Sequence, residues 1–213
     1  MQTILKWIVA VALGALAVQS HAQHSDVTFD IVAGQIVIEA DGHMHRAGAL
    51  SGNTQKLVFE ADFGDFNQGP YATDDPGYVS HEVSGVLTPG DIIGFSGVGT
   101  LKFWDGTAWT AMTLDQVTLT DALGAQSTFS SAGTFAGSSS FIGAADSMGG
   151  FHSHIDYEIN PDAAVGAYLI EMQLLGFDST GSSQIYVASE SYYIAINFGL
   201  SEAAFEASIT ALP

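Results

Sequence analysis

The sequence predicts an all-β protein, an antiparallel β-sandwich of jelly-roll or Ig-like type, with one short C-terminal helix. Three observations carry this. Short alternating or β-branched runs recur between residues 27 and 198, about ten to twelve of them, at the spacing of a sandwich or barrel. Turn signals separate the runs: Asp41-Gly42, Asp75-Pro76-Gly77, Pro89-Gly90 and Asp105-Gly106. No strand–helix–strand alternation is present, so a parallel sheet is not expected.

In chain order, the first strands are expected at Val27 to Ile31, Gln35 to Glu39 and Lys56 to Glu60. Gly90 to Phe95, Thr100 to Trp104 and Gln116 to Thr120 follow, then Phe151 to Ile159, Ala167 to Leu175, Gln184 to Ala188 and Tyr192 to Phe198. The Ser/Gly/Ala-rich stretch from Gly124 to Gly150 has the composition of a linker. It also carries Phe129, Phe135 and Phe141 at even spacing, which favours small-residue strands and turns within one domain. Ser201 stands as a cap before Glu202, Ala203, Ala204, Phe205, Glu206 and Ala207, so a helix is expected there, covering a sheet edge.

Residues 1–22 are set aside as an export signal. Lys6 supplies the positive start, Trp7 to Val18 an apolar run, and Ser20-His21-Ala22 small residues at −3 and −1 of a cleavage site. The apolar run is shorter than the ~20 residues of a membrane span. Residues 23–213 are then expected to form a single exported domain, periplasmic or secreted. Its only basic side chains are Arg46, Lys56 and Lys102, against 23 Asp and Glu. With a formal net charge of −19 for the whole chain, no nucleic-acid partner is expected, because phosphate binding needs Lys and Arg. Anionic lipid is excluded for the same reason. The absence of Cys rules out disulfides, thiolate nucleophiles and thiolate metal sites. Metal chemistry falls to His, Asp and Glu.

Two His-x-His pairs stand out, His43-Met44-His45 and His152-Ser153-His154. In a strand, residues i and i+2 point to one face, so each pair can turn both imidazoles on one ion. The second pair sits in a period-2 pattern. Phe151, Ser153, Ile155, Tyr157 and Ile159 share one face, while His152, His154, Asp156 and Glu158 share the other. Asp156 is expected to orient the rings from behind. His24 is a further candidate ligand. Were it the first mature residue, its amine and ring would form a copper-binding brace, but Gln23 is a poor residue to precede a cut. His81 reads as a surface residue.

Glu60, Asp62, Asp65, Asp74 and Asp75 cluster in the manner of calcium-binding loops, but no EF-hand or nonapeptide repeat accompanies them, which favours a solvated loop. Trp104 and Trp109 could serve as a sugar-stacking platform and read better as a hairpin packed by aromatics. No Gly-x-Ser-x-Gly, His-Glu-x-x-His or phosphate loop is present, and an enzyme is not expected.

The motifs His24-Ser25-Asp26-Val27, Phe59-Glu60-Ala61-Asp62-Phe63, Asp75-Pro76-Gly77-Tyr78, Leu101-Lys102-Phe103-Trp104-Asp105-Gly106, Gly149-Gly150-Phe151-His152-Ser153-His154 and Gly166-Ala167-Tyr168-Leu169-Ile170-Glu171 occur in this order. The set resembles secreted proteins of cyanobacteria and planctomycetes, some repressed by the zinc-uptake regulator and often bearing a PEP-CTERM sorting tail. The His-x-His strand followed by Gly-x-Tyr is also similar to the repeat of actinobacterial surface-anchored proteins associated with metal-transport loci. The resemblance implies a role in zinc homeostasis, with a metal-uptake system as partner. The chain departs from the family in ending at Ala211-Leu212-Pro213 without a sorting signal, membrane segment or basic tail, so no membrane anchor is expected.

The expectation is an exported, non-enzymatic protein that captures or buffers zinc, with His24, His43, His45, His152 and His154 as candidate ligands. Copper and calcium are the alternative ions, and a structural or adhesive module binding calcium or glycan is the alternative function. Imidazole ligands must be neutral, so metal affinity is expected to fall as pH drops through about 6.5.

Overall fold

The computed structural model describes residues 26–39, 45–46 (backbone only), 56–65, 68–80, 86–111 and 114–212. In chain order the strands are β1 (Val27–Val32), β2 (Gln35–Ile38), β3 (His45–Arg46), β4 (Leu57–Asp62), β5 (Ala72–Thr73), β6 (Tyr78–Ser80), β7 (Ile92–Trp104), β8 (Trp109–Thr110) and β9 (Val117–Thr120). They continue with β10 (Gln126–Ser130), β11 (Gly133–Phe135), β12 (Phe141–Ala144), β13 (His152–Ser153), β14 (Asp156–Ile159), β15 (Gly166–Phe177), β16 (Gln184–Tyr186) and β17 (Tyr192–Phe198), followed by helix α1 (Glu202–Thr210). The protein is all-β, and α1 is its one helix among the described residues. No described helix is long and apolar enough to cross a membrane.

Three sheets form. A small sheet runs β13-β6-β1-β2, a middle sheet β11-β10-β9-β14-β5, and a large sheet β12-β7-β15-β17-β4-β3, with β16 added to β15 and β8 to β7. Period-2 burial places one face of each sheet in a common core. Phe29 enters it from β1, Leu119 from β9, Tyr157 from β14, and Tyr168 and Ile194 from the large sheet, all fully buried. Most pairings are antiparallel as expected, but β1 pairs with β6, and β17 with β4, in parallel. Among the described residues no helix lies between the paired strands, so alternation of strand and helix does not reveal these pairings.

The runs Gly90 to Phe95 and Thr100 to Trp104 belong to one strand, β7. Its register against β15 shifts between Leu169 and Glu171, opposite Gly99, whose φ of +68° suits a bulge that only glycine adopts without strain. The Gly124–Gly150 stretch forms β10, β11 and β12, with Phe129 in the core and Phe135 exposed. Asp121 ties this stretch to the large sheet. Its carboxylate accepts from the main-chain N–H of Leu123, Ala125 and Phe141 at 2.8–3.0 Å. Burial pushes this carboxyl up, but those bonds and the Ser139 hydroxyl outweigh it and hold the group below the ordinary range.

β17 is apolar on both faces. Tyr192, Ile194 and Ile196 point into the main core, and Tyr193 and Ala195 point away from it. A strand of that kind needs cover on each side. Helix α1 supplies it: Phe205, Ile209 and the following Leu212 pack with Val58, Trp104, Ala167, Leu169, Tyr193 and Ala195. The helix therefore covers a sheet face, where an edge had been expected. Ser201 takes the extended N-cap conformation without a side-chain cap bond, and Glu202 supplies the acid of the first turn. Trp109, on β8, donates its indole N–H to the Ser208 carbonyl at 2.8 Å and stacks obliquely on Trp104, 5.8 Å between ring centres. The two tryptophans pack the hairpin and anchor the helix, as the aromatic-hairpin reading requires.

Tyr78, Tyr157 and Tyr192 bring phenols into the main core. Burial raises Tyr78 to about 12, partly offset by its hydrogen bond with Tyr157 and by the nearby Tyr192 phenol. It also drives Tyr157 and Tyr192 well above the ordinary value. The folded state thus holds these protons more tightly than the unfolded chain, where phenols titrate near 10. Their contribution to stability is whole below pH ~10 and is lost as pH rises through the folded values. Melting temperatures measured by circular dichroism are expected to be flat between pH 8 and 9.5 and to fall steeply towards pH 12. A flat profile up to pH 12 would contradict this account.

Candidate metal centre

Strand direction gathers the site. β1 and β6 run parallel, so their starting ends lie side by side, with Val27 opposite Tyr78. β13 runs antiparallel to β6, with Ser153 opposite Tyr78, so its finishing end lies at the same place. Asp26 just before β1, Gly77 just before β6 and His154 just after β13 therefore meet at one corner of the small sheet.

Alternation decides which side chains face outward there. Phe151 is buried against Phe29, with ring centres 5.5 Å apart in an edge-to-face contact. Ser153 turns inward and donates to the Ile142 carbonyl at 2.7 Å, tying β13 to β12 of the large sheet. His152 and His154, of opposite phase, are exposed. The expected two-face pattern from Phe151 to Ile159 holds in burial, but the run is not one strand. It breaks at His154–Ile155, and its second half, β14, joins the middle sheet between β9 and β5.

The imidazoles converge, Nε2 to Nε2 at 3.2 Å, with ring centres 5.1 Å apart. Asp26 Oδ2 lies 3.1 Å from His152 Nε2, and one donor atom from each of the three residues lies within 4.8 Å of the others. Ligands ~2.05 Å from a tetrahedral zinc ion would stand about 3.3 Å apart, and the 3.2 Å and 3.1 Å separations, hydrogen-bond distances in the absence of an ion, also match that spacing. Supporting contacts fix the donors. His154 Nδ1 lies 2.9 Å from the Asp74 carbonyl oxygen, which can only accept, so Nδ1 carries the proton and Nε2 presents its lone pair. Asp26 Oδ1 accepts from the Gly77 N–H at 3.1 Å, leaving Oδ2 for the site. The His154 ring lies directly against Gly77, where a Cβ would stand 2.5 Å from Cε1. His152 is 61% exposed and Asp26 27%, so the centre is open to solvent on one side.

Asp26 was not among the expected ligands, although it closes the His24-Ser25-Asp26 motif. Only the parallel pairing of β1 with β6 sets it beside the histidines. Asp156 does not take its expected orienting role. Once the chain leaves the small sheet after His154, Asp156 pairs with Thr120 in the middle sheet, and main-chain groups of Asp74 and Gly77 orient the donors. His24 and His43 lie outside the described residues. The backbone of His45 pairs with Val58 at the edge of the large sheet, a different sheet from that of His152. The acidic residues considered for calcium do not form a cluster with three converging donors among the described residues. Asp62, for one, accepts from Asn197 at 2.6 Å. Comparisons with protein-family models, curated proteins and solved structures found no match to this chain.

Proposed function

We propose that this is an exported protein that captures or buffers a small divalent transition ion, zinc foremost, through Asp26, His152 and His154. The convergence of two imidazole nitrogens and one carboxylate oxygen at the spacing of a shared ion carries this reading. Two nitrogens and an oxygen form a donor set of borderline softness, suited to zinc more than to calcium, which takes 6–8 oxygens. Three protein donors leave a coordination position open, and an open, exposed centre exchanges its ion, as capture and release demand. The strongly acidic chain draws cations towards it. The N-terminal apolar run of residues 7–18 supports export.

The test is elemental mass spectrometry of the purified protein, followed by zinc titration calorimetry. Wild type is expected to take up about one zinc per chain at this centre, and the His152→Ala, His154→Ala double variant to lose at least ~100-fold in affinity. Equal zinc affinity in the double variant would overturn the assignment. Stabilisation by calcium without a zinc response would instead favour a structural or adhesive module.

A further inference from the structure

The corner that orients the metal donors is braced from inside the core. Residues 74–77 supply two of its supports, the Asp74 carbonyl for His154 and the Gly77 N–H for Asp26. Between them, the Pro76 carbonyl accepts a hydrogen bond from the fully buried hydroxyl of Tyr157 at 3.3 Å. The Tyr157 oxygen in turn lies 2.7 Å from the hydroxyl of Tyr78, also fully buried. Tyr78 follows Gly77 directly and pairs with both Val27 and Ser153, the residues adjoining Asp26 and His154. One phenol pair thus connects the core to both supports of the site.

We infer, resting on the metal-capture reading above, that Tyr157 is a positioning residue of the metal centre. Through Pro76 it holds the 74–77 turn, and with it Asp26 and His154, at the spacing of a small transition ion. His152 Nε2 lies 3.1 Å from Asp26 Oδ2 and 3.2 Å from His154 Nε2, separations that fit ion–ligand bonds of ~2.0–2.1 Å. Calcium is set aside by donor type, since two of the three donors are imidazole nitrogens and calcium takes 6–8 oxygens. The brace is built before any ion arrives, so the ion meets donors already in place and less ordering accompanies binding.

The experiment compares Tyr157→Phe with Tyr168→Phe in the full protein. Tyr168 is the matched control: also buried, it donates to Asp115 at 2.7 Å, away from the 74–77 turn. Both variants lose one phenol hydroxyl, and each is expected to melt below wild type. Tyr157→Phe alone is expected to weaken zinc binding about tenfold, the scale of losses behind a metal ligand, and to shift the visible spectrum of the cobalt-loaded protein. Wild-type affinity and an unshifted cobalt spectrum in Tyr157→Phe would overturn the inference, leaving the metal-capture reading in place. Equal losses of affinity in both variants would also overturn it, since they would mark a general effect of stability. Should Tyr157→Phe fail to fold, the cobalt spectrum of Tyr78→Phe, which removes the other hydroxyl of the pair, decides the same question. Absence of zinc binding by wild type would overturn the capture reading and this inference together.

Discussion

Gly77→Ala is expected to lower zinc affinity about 100-fold while leaving the melting temperature close to that of wild type. The new methyl would stand 2.5 Å from His154 Cε1 and 2.7 Å from both ring nitrogens, inside any tolerated contact. Gly77 does not have a left-handed φ, so alanine brings no backbone strain there. His154 is exposed, so its ring can swing out and the sheet need not move. In swinging out it gives up the Asp74 carbonyl and its approach to His152, and the site keeps two donors of three. Calorimetric zinc titration beside thermal unfolding checks both halves. Wild-type affinity in the variant would show that the ring's seat against Gly77 is not needed for binding.

Phe205→Ala should act the other way, costing about 4 kcal/mol of stability and sparing the metal centre. Phe205 is fully buried between α1 and the outer face of the large sheet. Truncating a buried phenylalanine removes its transfer energy and leaves a cavity, together worth ~3–5 kcal/mol. In a chain of this length that corresponds to a fall of about 10 °C in melting temperature. Loosening α1 also frees Trp109 from the Ser208 carbonyl, so tryptophan emission should move to the red. Zinc affinity should stay at the wild-type value, because the centre is built on the small sheet. A melting temperature within ~2 °C of wild type would show that the helix contributes little to stability. The two variants together separate site from fold.

Whatever depends on neighbours along the chain was legible in the sequence. Alternation marked β1 and β9, and β17 matches its expected range of Tyr192 to Phe198. The opposed phases of His152 and Ser153 were also readable, since a period of two needs no knowledge of the partner strand. The break at His154–Ile155 was not. Burial continues to alternate across it, from Phe151 to Tyr157, while the chain passes from one sheet to another.

By itself the sequence determined an acidic, cysteine-free chain of short strands, with one short helix at its end and two histidines, His152 and His154, in the same phase of an alternating run. Composition and local periodicity decide such features, because each is settled within a few residues by side-chain size, charge and pleat. The tertiary structure alone decided that β1 and β6 run parallel. That pairing brings Asp26 and Gly77 beside His154, adds a third donor that no spacing announces, and lets main-chain groups of the 74–77 turn orient the site. The choice rests on long-range burial, as Phe29, Tyr78, Phe151 and Tyr157 leave water together in one core. That burial can be counted only once distant segments meet.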